Sequence, residues 1–282
     1  MKPIGHRKEV MQVLGILGRD AETLCDDVAA QLDGTVAVIQ TEKIPERTVT
    51  TAHDVSSSIT TRYDLADDGR WHASGESYDV VDILDELSTT VDYTLVIGSS
   101  NARIPTVLLD TAVTDIDPNS SHVVLTAETA ATVDTEEVVT AVETAEPHIA
   151  LSTLIERVKT SSHADRAGAI ATFTGRVRAR DTDDDPKTVR LRFETYDSVA
   201  DDRMRKIESE LTQRDGVYAV ELFHRTGVIN NGEDIVFVVV LAGHREEAFE
   251  TVSDGIDRLK AEVPIFKHET TIEEDFWVHE RN

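Results

Sequence analysis

The sequence feature that most constrains the fold is an apolar run at residues 234–242, DIVFVVVLA. Only its first residue is polar, and such a run is typical of a central strand that is covered on both faces of a sheet. Gly243, His244 and Arg245 follow it directly, so polar and cationic side chains are expected at one edge of that sheet. The surrounding domain must therefore enclose this strand in a core of its own.

The segments around this strand predict an α+β domain with mostly antiparallel strands. Residues 168–175 and 217–223 have the composition of further strands, and residues 189–196 alternate with a period of two, which is typical of a half-exposed strand. Three helices are expected to pack on these strands. The last of them covers residues 246–261 and is ended by Pro264.

The helix boundaries and apolar stripes follow from capping residues and from helical spacing. The first helix is expected to begin at an N-cap at Ser152, and the second to be capped by Asp197 or Ser198. The stripes that we expect to face the core are Val199, Met204, Ile207 and Leu211 in the second helix, and Phe249, Val252, Ile256 and Leu259 in the third.

The N-terminal half predicts an α/β domain with a largely parallel sheet. Its opening is a strand, a helix and a strand, and this βαβ order favours parallel pairing. Residues 47–77 are polar and predict a long loop or a hairpin. The predicted elements are strands at 11–17, 35–40, 93–97, 105–109 and 122–126, and helices at 21–32, 80–87 and 135–144.

The strand–turn–helix opening is P-loop-like but lacks the residues of a working phosphate loop. Residues 15–24, GILGRDAETL, keep the first glycines and a threonine. A working loop also needs a lysine for the phosphates next to a hydroxyl for magnesium, and here no Gly-Lys-Ser/Thr follows. Nucleotide binding is therefore not expected. Pro147 ends the last helical pattern of this half, so the predicted domains are 1–147 and 148–282.

The charge balance excludes several classes of partner. The 282 residues carry 54 Asp and Glu against 28 Lys and Arg, a formal net charge of -26 that is spread through both halves. Such a surface repels nucleic acid and anionic membranes, and in a salt-rich cytoplasm the salt would screen its self-repulsion. No apolar run approaches the roughly 18 residues that span a bilayer, and the first residues lack a secretory signal. We expect a cytoplasmic protein with no nucleic-acid or membrane partner.

The cysteine and histidine content predicts neither a disulfide nor a metal site. Cys25 is the single cysteine and lies in a helical pattern, which favours a buried structural thiol. The ten histidines are scattered without the paired spacing of zinc ligands. We therefore expect no bound metal and no cofactor.

In so acidic a chain, a cluster of cationic residues calls for an anionic ligand. Arg176, Arg178 and Arg180 come where a predicted strand becomes a loop, and arginine can fork onto a phosphate. The same arginines can simply balance the acidic residues at 181–186, and the helix dipole alone accounts for a cation at Lys260. Taken one by one, these residues leave structural and binding roles open.

Six motifs in a fixed order are more specific than any single residue. They are FTGRVR at 173–178, HRTG at 224–227, GE at 232–233, HREEAF at 244–249, DRLK at 257–260 and VPIFKHE at 263–269, with Trp277-Val278 closing the series. In identity and order they closely resemble the MoaE family, the large catalytic subunit of molybdopterin synthase. The resemblance covers about residues 150–280.

The resemblance implies a MoaE-like fold of the hammerhead type and a sulfur-transfer reaction. Cyclic pyranopterin monophosphate receives two sulfur atoms and becomes the dithiolene molybdopterin. The sulfur arrives as a thiocarboxylate on the C-terminal Gly-Gly of a small ubiquitin-like carrier of the MoaD type. The family acts as a homodimer within a heterotetramer, with one carrier at each end.

The resemblance also implies the residues of the substrate pocket. Lys260 and Lys267 are expected to be catalytic, and Glu269 to orient Lys267. Among the pterin-binding residues, Arg178, His244 and Arg245 are expected to hold the phosphate. The full set of expected substrate-binding residues is Arg176, Val177, Arg178, His244, Arg245, Lys260, Lys267, His268 and Glu269.

The N-terminal half has a weaker resemblance of its own. Its element order, with YTLVIG at 93–98 and IPTVL at 104–108, is similar to the MobB family of molybdopterin-guanine dinucleotide adapter proteins. Because the phosphate loop is degenerate, this domain is expected to be a scaffold or docking surface. An alternative for the whole chain is a non-catalytic adapter or binding protein in molybdenum cofactor biosynthesis.

Overall fold

The structure is a computed structural model that describes residues 10–41, 61–75, 78–99, 104–110, 122–180, 182–272 and 275–278. The chain divides into two compact units, Met1–Ala150 and Leu151–Asn282. The division falls between Ala150 and Leu151, whereas the sequence places the boundary after Pro147. Within the described part, no helix is both long enough and apolar enough to cross a membrane.

The first unit opens with alternating strands and helices, has a hairpin inserted between the second strand and the second helix, and continues with three strands in succession before its last helix. Its described elements are β1 (Gln12–Leu17), α1 (Ala21–Gln31), β2 (Val36–Gln40), β3 (Thr61–Leu65), β4 (Trp71–Gly75), α2 (Val80–Leu87), β5 (Tyr93–Ile97), β6 (Thr106–Leu109), β7 (Val123–Ala127) and α3 (Thr135–Thr144).

Five of these strands form one parallel sheet in the order β2-β5-β1-β6-β7, which confirms the predicted sheet type. All residues of β1 and β5 are buried, as expected for strands covered on both faces. Helices α1 and α3 contribute Leu24, Val28, Val138 and Val142 to the core on one face. Leu84 of α2 packs in a separate apolar cluster with Met11 and Val96.

The turn between β1 and α1 is tight and has no phosphate-loop lysine. Gly18 has a φ of 109°, and a Cβ at this position would overlap the carbonyl oxygen of Leu109, so only glycine fits. Asp20 caps α1 in the left-handed region without a side-chain hydrogen bond to the helix. Arg19 instead lies 3.7 Å from the Asp110 carboxylate. The backbone thus turns sharply, but the nearby cation is paired with an acid.

The polar stretch for which the sequence predicted a loop or a hairpin contains a hairpin. Strands β3 and β4 pair antiparallel, with Leu65 opposite Trp71 and Tyr63 opposite Ala73. Of the predicted stretch, residues 47–60 and 76–77 lie outside the described residues. The rings of Tyr63 and Trp71 lie 6.4 Å apart, and both side chains are exposed.

The described residues of the second unit form two antiparallel sheets and three α-helices. Its described elements are α4 (Leu151–Lys159), β8 (Ala169–Arg176), β9 (Thr188–Thr195), α5 (Asp197–Thr212), β10 (Val217–His224), β11 (Gly227–Asn230), β12 (Asp234–Ala242), α6 (Arg245–Glu262), β13 (Ile265–Thr271) and β14 (Asp275–Val278).

The apolar run at residues 234–242, strand β12, is the central strand of its sheet. The order is β10-β12-β8, and β12 pairs antiparallel with both neighbours. Its residues from Val236 to Ala242 are buried, and Val238 and Val240 pack against Ile207 of α5 and Val252 of α6 in one core. The central position predicted for this strand is confirmed.

The second sheet has the order β11-β9-β13-β14 and carries the segment with Lys267. Strand β13 pairs with β9 on one side and with β14 on the other, so its backbone is fixed on both edges. A smaller core of Val177, Leu191, Phe193 and Ile229 lies against this sheet. Because β13 is paired on both edges, its successive side chains point alternately to the two faces of the sheet.

The predicted apolar stripes of the helices are wrong at two positions. Phe249 of α6 is 65% exposed, and Ala248 is buried in its place. Val199 of α5 is 45% exposed, whereas the neighbouring Ala200 is buried. One residue corresponds to about 100° around a helix, so the true stripe is shifted by a single position at the start of each helix. The small alanine lets the helix approach the sheet closely.

The predicted helix caps are also wrong. Helix α4 begins at Leu151, so Ser152 lies inside the helix and not before it. The residue before α5 is Tyr196, which makes no side-chain hydrogen bond to the helix. Capping side chains contribute about 1 kcal/mol, and here the tertiary packing of each helix outweighs that preference.

Glu208 on α5 is a half-buried acid whose ionisation opposes folding. Its Oε1 accepts a hydrogen bond of 2.7 Å from the backbone N–H of Leu222 on β10. Burial raises the pKa of this carboxyl to about 7, while the Leu222 hydrogen bond and the Arg157 charge act in the opposite direction. Unfolding therefore releases a proton between about pH 4.5 and 7, and the stability contributed at low pH is lost as the pH rises through that range.

Replacing Glu208 with glutamine is expected to stabilise the protein at pH 8 by about 1–3 kcal/mol and to have little effect at pH 4. Glutamine still offers an oxygen to the Leu222 N–H but has no charge to desolvate. The measurement is denaturant unfolding at both pH values in high salt, which screens the other acids. Glu250→Gln, an exposed change on α6, is the control; an equal gain from both variants would contradict the argument.

Candidate active site

A cavity of about 970 Å3 opens in the second unit between the end of β8, the C-terminal end of α6 and strand β13. Its walls bring together residues that lie far apart in the sequence. Of the substrate-binding residues predicted from the sequence, five line it: Arg176, Arg178, Lys260, Lys267 and Glu269. In a chain with a net charge of -26, this concentration of cations makes the cavity a place for an anion.

The arginines of the cavity lie where β8 ends. Arg176 is held in place because its guanidinium donates to the carbonyl oxygen of Gly232 and lies 3.3 Å from the carboxylate of Asp234. Arg178 and Arg180 follow at a spacing of two residues, and both are exposed and line the cavity. Arg180 also donates to the carbonyl oxygen of Asp183 at 3.1 Å. Arg180 belongs to the cavity although it was not among the predicted site residues.

Lys267 and Glu269 point into the cavity because they share one face of β13. The Lys267 Nζ lies 3.3 Å from Oε2 of Glu269, and the other Glu269 oxygen accepts a hydrogen bond from the Thr188 hydroxyl. The Glu269 side chain is only 19% exposed, so its orientation is fixed by these two partners. The pair places a cation and an acid side by side on the cavity wall.

Lys260 reaches the same cavity from the last turn of α6. In the described part of the chain it has neither a hydrogen-bond nor an ion-pair partner. The negative end of the helix dipole favours a cation at this position. Two lysines from different elements thus face one space.

Four of the nine predicted site residues do not line the cavity, and two of them, Val177 and His268, are neighbours of residues that do. Val177 is 2% exposed and belongs to the small core with Leu191, Phe193 and Ile229, so its side chain packs and does not face a ligand. His268 alternates with Lys267 along β13 and lies on the other face, where its ring meets Trp277 edge-on at 4.9 Å. The prediction took a run of neighbouring residues, whereas a strand sends only every second one to a given face.

His244 and Arg245 lie at the opposite end of α6 from Lys260. His244 is the residue before the helix, and Arg245 is its first residue. Lys260 comes sixteen positions after His244 along the helix, an axial distance of about 24 Å. Neither His244 nor Arg245 is among the described residues that line the cavity. One chain therefore does not bring the predicted phosphate ligands together.

His224 is a cavity residue that sequence reasoning did not select. It ends β10 and lies edge-on to Phe193, with ring centroids 4.8 Å apart. Its Nδ1 lies 2.7 Å from the carbonyl oxygen of Arg225. Burial lowers the pKa of this imidazole to about 4, so the ring is neutral at physiological pH. Its place in the HRTG motif was the one available signal.

The described residues form no cluster of three or more His, Cys, Asp or Glu side chains that would hold a metal ion. The polar groups of the cavity are instead donors and cations, with Glu269 and Asp185 as its carboxylates. Donors and cations suit a phosphate or a carboxylate ligand.

Comparison with known proteins decides the family. The model of the family described as "MoaE protein" matches residues 139–262. A relative from Haloferax volcanii, named "Probable molybdopterin synthase", is 51% identical over 271 residues, which is 96% of this chain and 100% of the relative. The chain belongs to the MoaE family of molybdopterin synthase. The family prediction from the motifs is confirmed, and with it the expectation of an enzyme of molybdenum cofactor biosynthesis.

Two further comparisons cover a smaller share of the chain. The molybdopterin synthase catalytic subunit of Pyrococcus abyssi is 38% identical over 111 residues, 39% of this chain and 74% of that protein. A molybdopterin synthase structure from Staphylococcus aureus is 26% identical, with a TM-score of 0.42, and covers 47% of this chain and 92% of that one. The Haloferax relative, by contrast, spans both units, so this MoaE chain shares its longer form with that relative.

Proposed function

We propose that the cavity of the second unit is the site where sulfur passes from a thiocarboxylated carrier to cyclic pyranopterin monophosphate, which yields the dithiolene of molybdopterin. The observation that carries the proposal is the convergence of three arginines and two lysines on one cavity of about 970 Å3. A ligand with a phosphate fits these donors, and the volume exceeds what a single small ring system needs. The remaining space suits the narrow Gly-Gly end of a carrier.

The phosphate is assigned to the arginine side of the cavity. Arg178 has the exposed guanidinium needed for a bidentate contact, and Arg176, tied to Gly232 and Asp234, supports it as a fixed positive charge. Arg180 extends the same edge. A phosphate there would leave the pterin ring to extend toward the lysines.

The chemistry is assigned to Lys267 and Lys260. Each transfer forms a C–S bond at the pterin side chain and breaks a C–O bond, so the departing oxygen needs a proton or a nearby cation. Lys267, oriented by Glu269 at 3.3 Å, is placed to donate that proton, and Lys260 stabilises the negative charge that develops on oxygen. Water then releases the carrier as its carboxylate.

The carrier is proposed to be a MoaD-type ubiquitin-like protein with a C-terminal Gly-Gly thiocarboxylate. Phe266 lines the cavity, is 48% exposed and meets the exposed ring of Tyr196 edge-on at 5.9 Å. An exposed aromatic pair beside a cavity is suited to the apolar contact of a protein partner. The hammerhead type of MoaE-like fold and a heterotetramer belong to the same proposal.

His244 and Arg245 are proposed to act in the cavity of a second copy of the chain. Within one chain they lie about 24 Å from Lys260, so they cannot hold the same ligand. A homodimer with a two-fold axis places the same residues of each copy against the other, and both cavities are then completed equally. The His-Arg pair thus retains its predicted phosphate role, but across an interface.

The first unit is proposed to be a P-loop-like, MobB-like scaffold without nucleotide binding. Its turn at Gly18 has the required tight backbone, but Arg19 is paired with Asp110 and no lysine follows. Calorimetric titrations with ATP and with GTP up to about 1 mM, a concentration that detects binding as weak as about -5 kcal/mol, are expected to show no saturable heat. A micromolar affinity for either nucleotide would overturn this assignment.

The experiment that tests the proposed reaction combines the full chain, a thiocarboxylated carrier and cyclic pyranopterin monophosphate, with the pterin followed by mass spectrometry. The expected result is a product that has gained two sulfur atoms. A pterin that binds but stays unchanged with a competent carrier would favour the alternative, a non-catalytic adapter. Failure to bind either partner would reject both functions.

A further inference from the structure

The cavity has a charged edge and an apolar interior. Its cations at Arg178 and Lys260 are exposed, whereas the lining residues Phe193, Val236 and Leu259 are no more than 6% exposed. A pterin phosphate has the same division, with a charged group at one end and a flat ring at the other. The ring therefore belongs in the interior, where few polar groups are available to orient it.

His224 supplies such a polar group in the interior. Its ring stands edge-on to Phe193 at an interplanar angle of 78°. Phe193 in turn is the cross-strand neighbour of Lys267 in the β9–β13 register. His224 thus lies on the same wall as the proposed catalytic lysine, separated from it by one aromatic ring.

The hydrogen bond of His224 fixes which ring nitrogen carries the proton. A carbonyl oxygen can only accept, so the 2.7 Å contact to Arg225 requires the hydrogen on Nδ1. The neutral ring then has its lone pair on Nε2. No described residue donates to that nitrogen, and it is not one of the fully buried polar atoms that lack a partner, so it is open to the cavity. The second nitrogen therefore calls for a donor from the ligand or from water.

We propose that Nε2 of His224 accepts a hydrogen bond from a ring N–H of the bound pterin and so sets the orientation of the ring in the cavity. This inference rests on the proposed function. His224 is a specificity residue here: it selects a flat ligand with an N–H at the correct edge and rejects one that offers an acceptor there. A reduced pterin carries several such N–H groups.

Two substitutions at His224 test the roles of its two ring nitrogens separately. His224→Asn retains a donor near the Nδ1 position for the Arg225 carbonyl but removes the acceptor that faces the cavity. His224→Gln places an amide near the Nε2 position, where its oxygen can accept. We expect the asparagine variant to raise KM and the dissociation constant of cyclic pyranopterin monophosphate about tenfold, with kcat within about twofold, and the glutamine variant to restore most of the affinity.

A stability control and a spectroscopic readout exclude a merely structural role. Val240→Ala, in the core of β12 away from the cavity, is expected to lower the Tm without changing KM. In 15N spectra, the Nε2 resonance of His224 is expected to shift when the pterin is added, while Nδ1 keeps its hydrogen. A histidine that only bonds to the Arg225 carbonyl would show neither the KM change nor the shift.

The outcomes distinguish this inference from the proposed reaction. If wild type forms product and His224→Asn has an unchanged KM and pterin affinity, the inference is wrong. A loss confined to kcat would also overturn it. If wild type binds the pterin but transfers no sulfur, the reaction is rejected, and the affinity ratio of wild type to His224→Asn still decides the inference: tenfold supports it and unity overturns it.

Discussion

Replacement of Lys267 by alanine is expected to lower kcat for product formation about 1000-fold while KM changes less than about threefold. The side chain faces the cavity from β13, and its Nζ is held 3.3 Å from Glu269. Alanine removes the proton donor for the departing oxygen and leaves Glu269 as an uncompensated acid on the wall. Binding of the phosphate depends on the arginine side of the cavity and is largely preserved.

Two control variants accompany this change, one at a lysine outside the cavity and one that keeps the charge at Lys267. Lys206 on α5 is exposed, pairs with Glu210 at 3.8 Å and is not a lining residue, so Lys206→Ala is expected to match wild type. Lys267→Arg keeps the charge but donates a proton poorly, and should recover affinity without recovering kcat. If Lys267→Ala keeps more than about a third of wild-type kcat, general-acid chemistry at this residue is excluded.

A mixed dimer of two inactive variants is expected to recover about half of wild-type activity, because one of its two cavities is complete. One copy carries Lys267→Ala and the other carries His244→Ala with Arg245→Ala. The cavity with an intact Lys267 then receives the intact His-Arg pair of its partner. Each variant alone is expected to be inactive. The measurement is product formation by mixed dimers purified through two different tags.

The matched control pairs two residues of the same cavity. A dimer of Lys260→Ala with Lys267→Ala has a defect in each cavity and should show no recovery, since both lysines line the cavity of their own chain. If this dimer recovers as much activity as the first, the cavity is not assembled in the proposed way. No recovery in either dimer would show that His244 and Arg245 act within their own chain.

Elements with strong local patterns were predictable from the sequence. The apolar run at 234–242 gave a central strand, and the βαβ opening gave a parallel sheet, because burial on both faces depends on composition alone. The positions of Lys260 and Lys267 on the cavity wall followed from motif order. These features depend on short segments and on their sequence neighbours.

Side-chain direction was less predictable, because it depends on packing between distant segments. His268 was grouped with Lys267 although strand alternation places them on opposite faces. Phe249 fitted a helical stripe, but Ala248 faces the sheet instead. Successive side chains differ in direction by about 100° in a helix and by about 180° in a strand. An error of one residue in the predicted pattern therefore turns a side chain away from the face it was assigned to, and sequence spacing alone does not reveal such an error.

The distances between residues that are remote in the sequence could not be predicted from any local pattern. His244 and Lys260 are joined by one helix, so their motif order suggested a common site, whereas the rigid length of α6 keeps them apart. His224 was passed over because its burial and its contact with Phe193 arise only when β9 and β10 fold together. Both points concern distances between residues that are brought together or held apart only by the folded chain.

The most direct test of the central claim follows the sulfur itself. A carrier with 35S in its thiocarboxylate is mixed with cyclic pyranopterin monophosphate and the protein in a single turnover, and the label on the pterin is measured over time. If Lys267 acts as the proton donor, the label moves rapidly to the pterin with wild type and stays on the carrier with Lys267→Ala. Transfer at the same rate by wild type, Lys260→Ala and Lys267→Ala would contradict it.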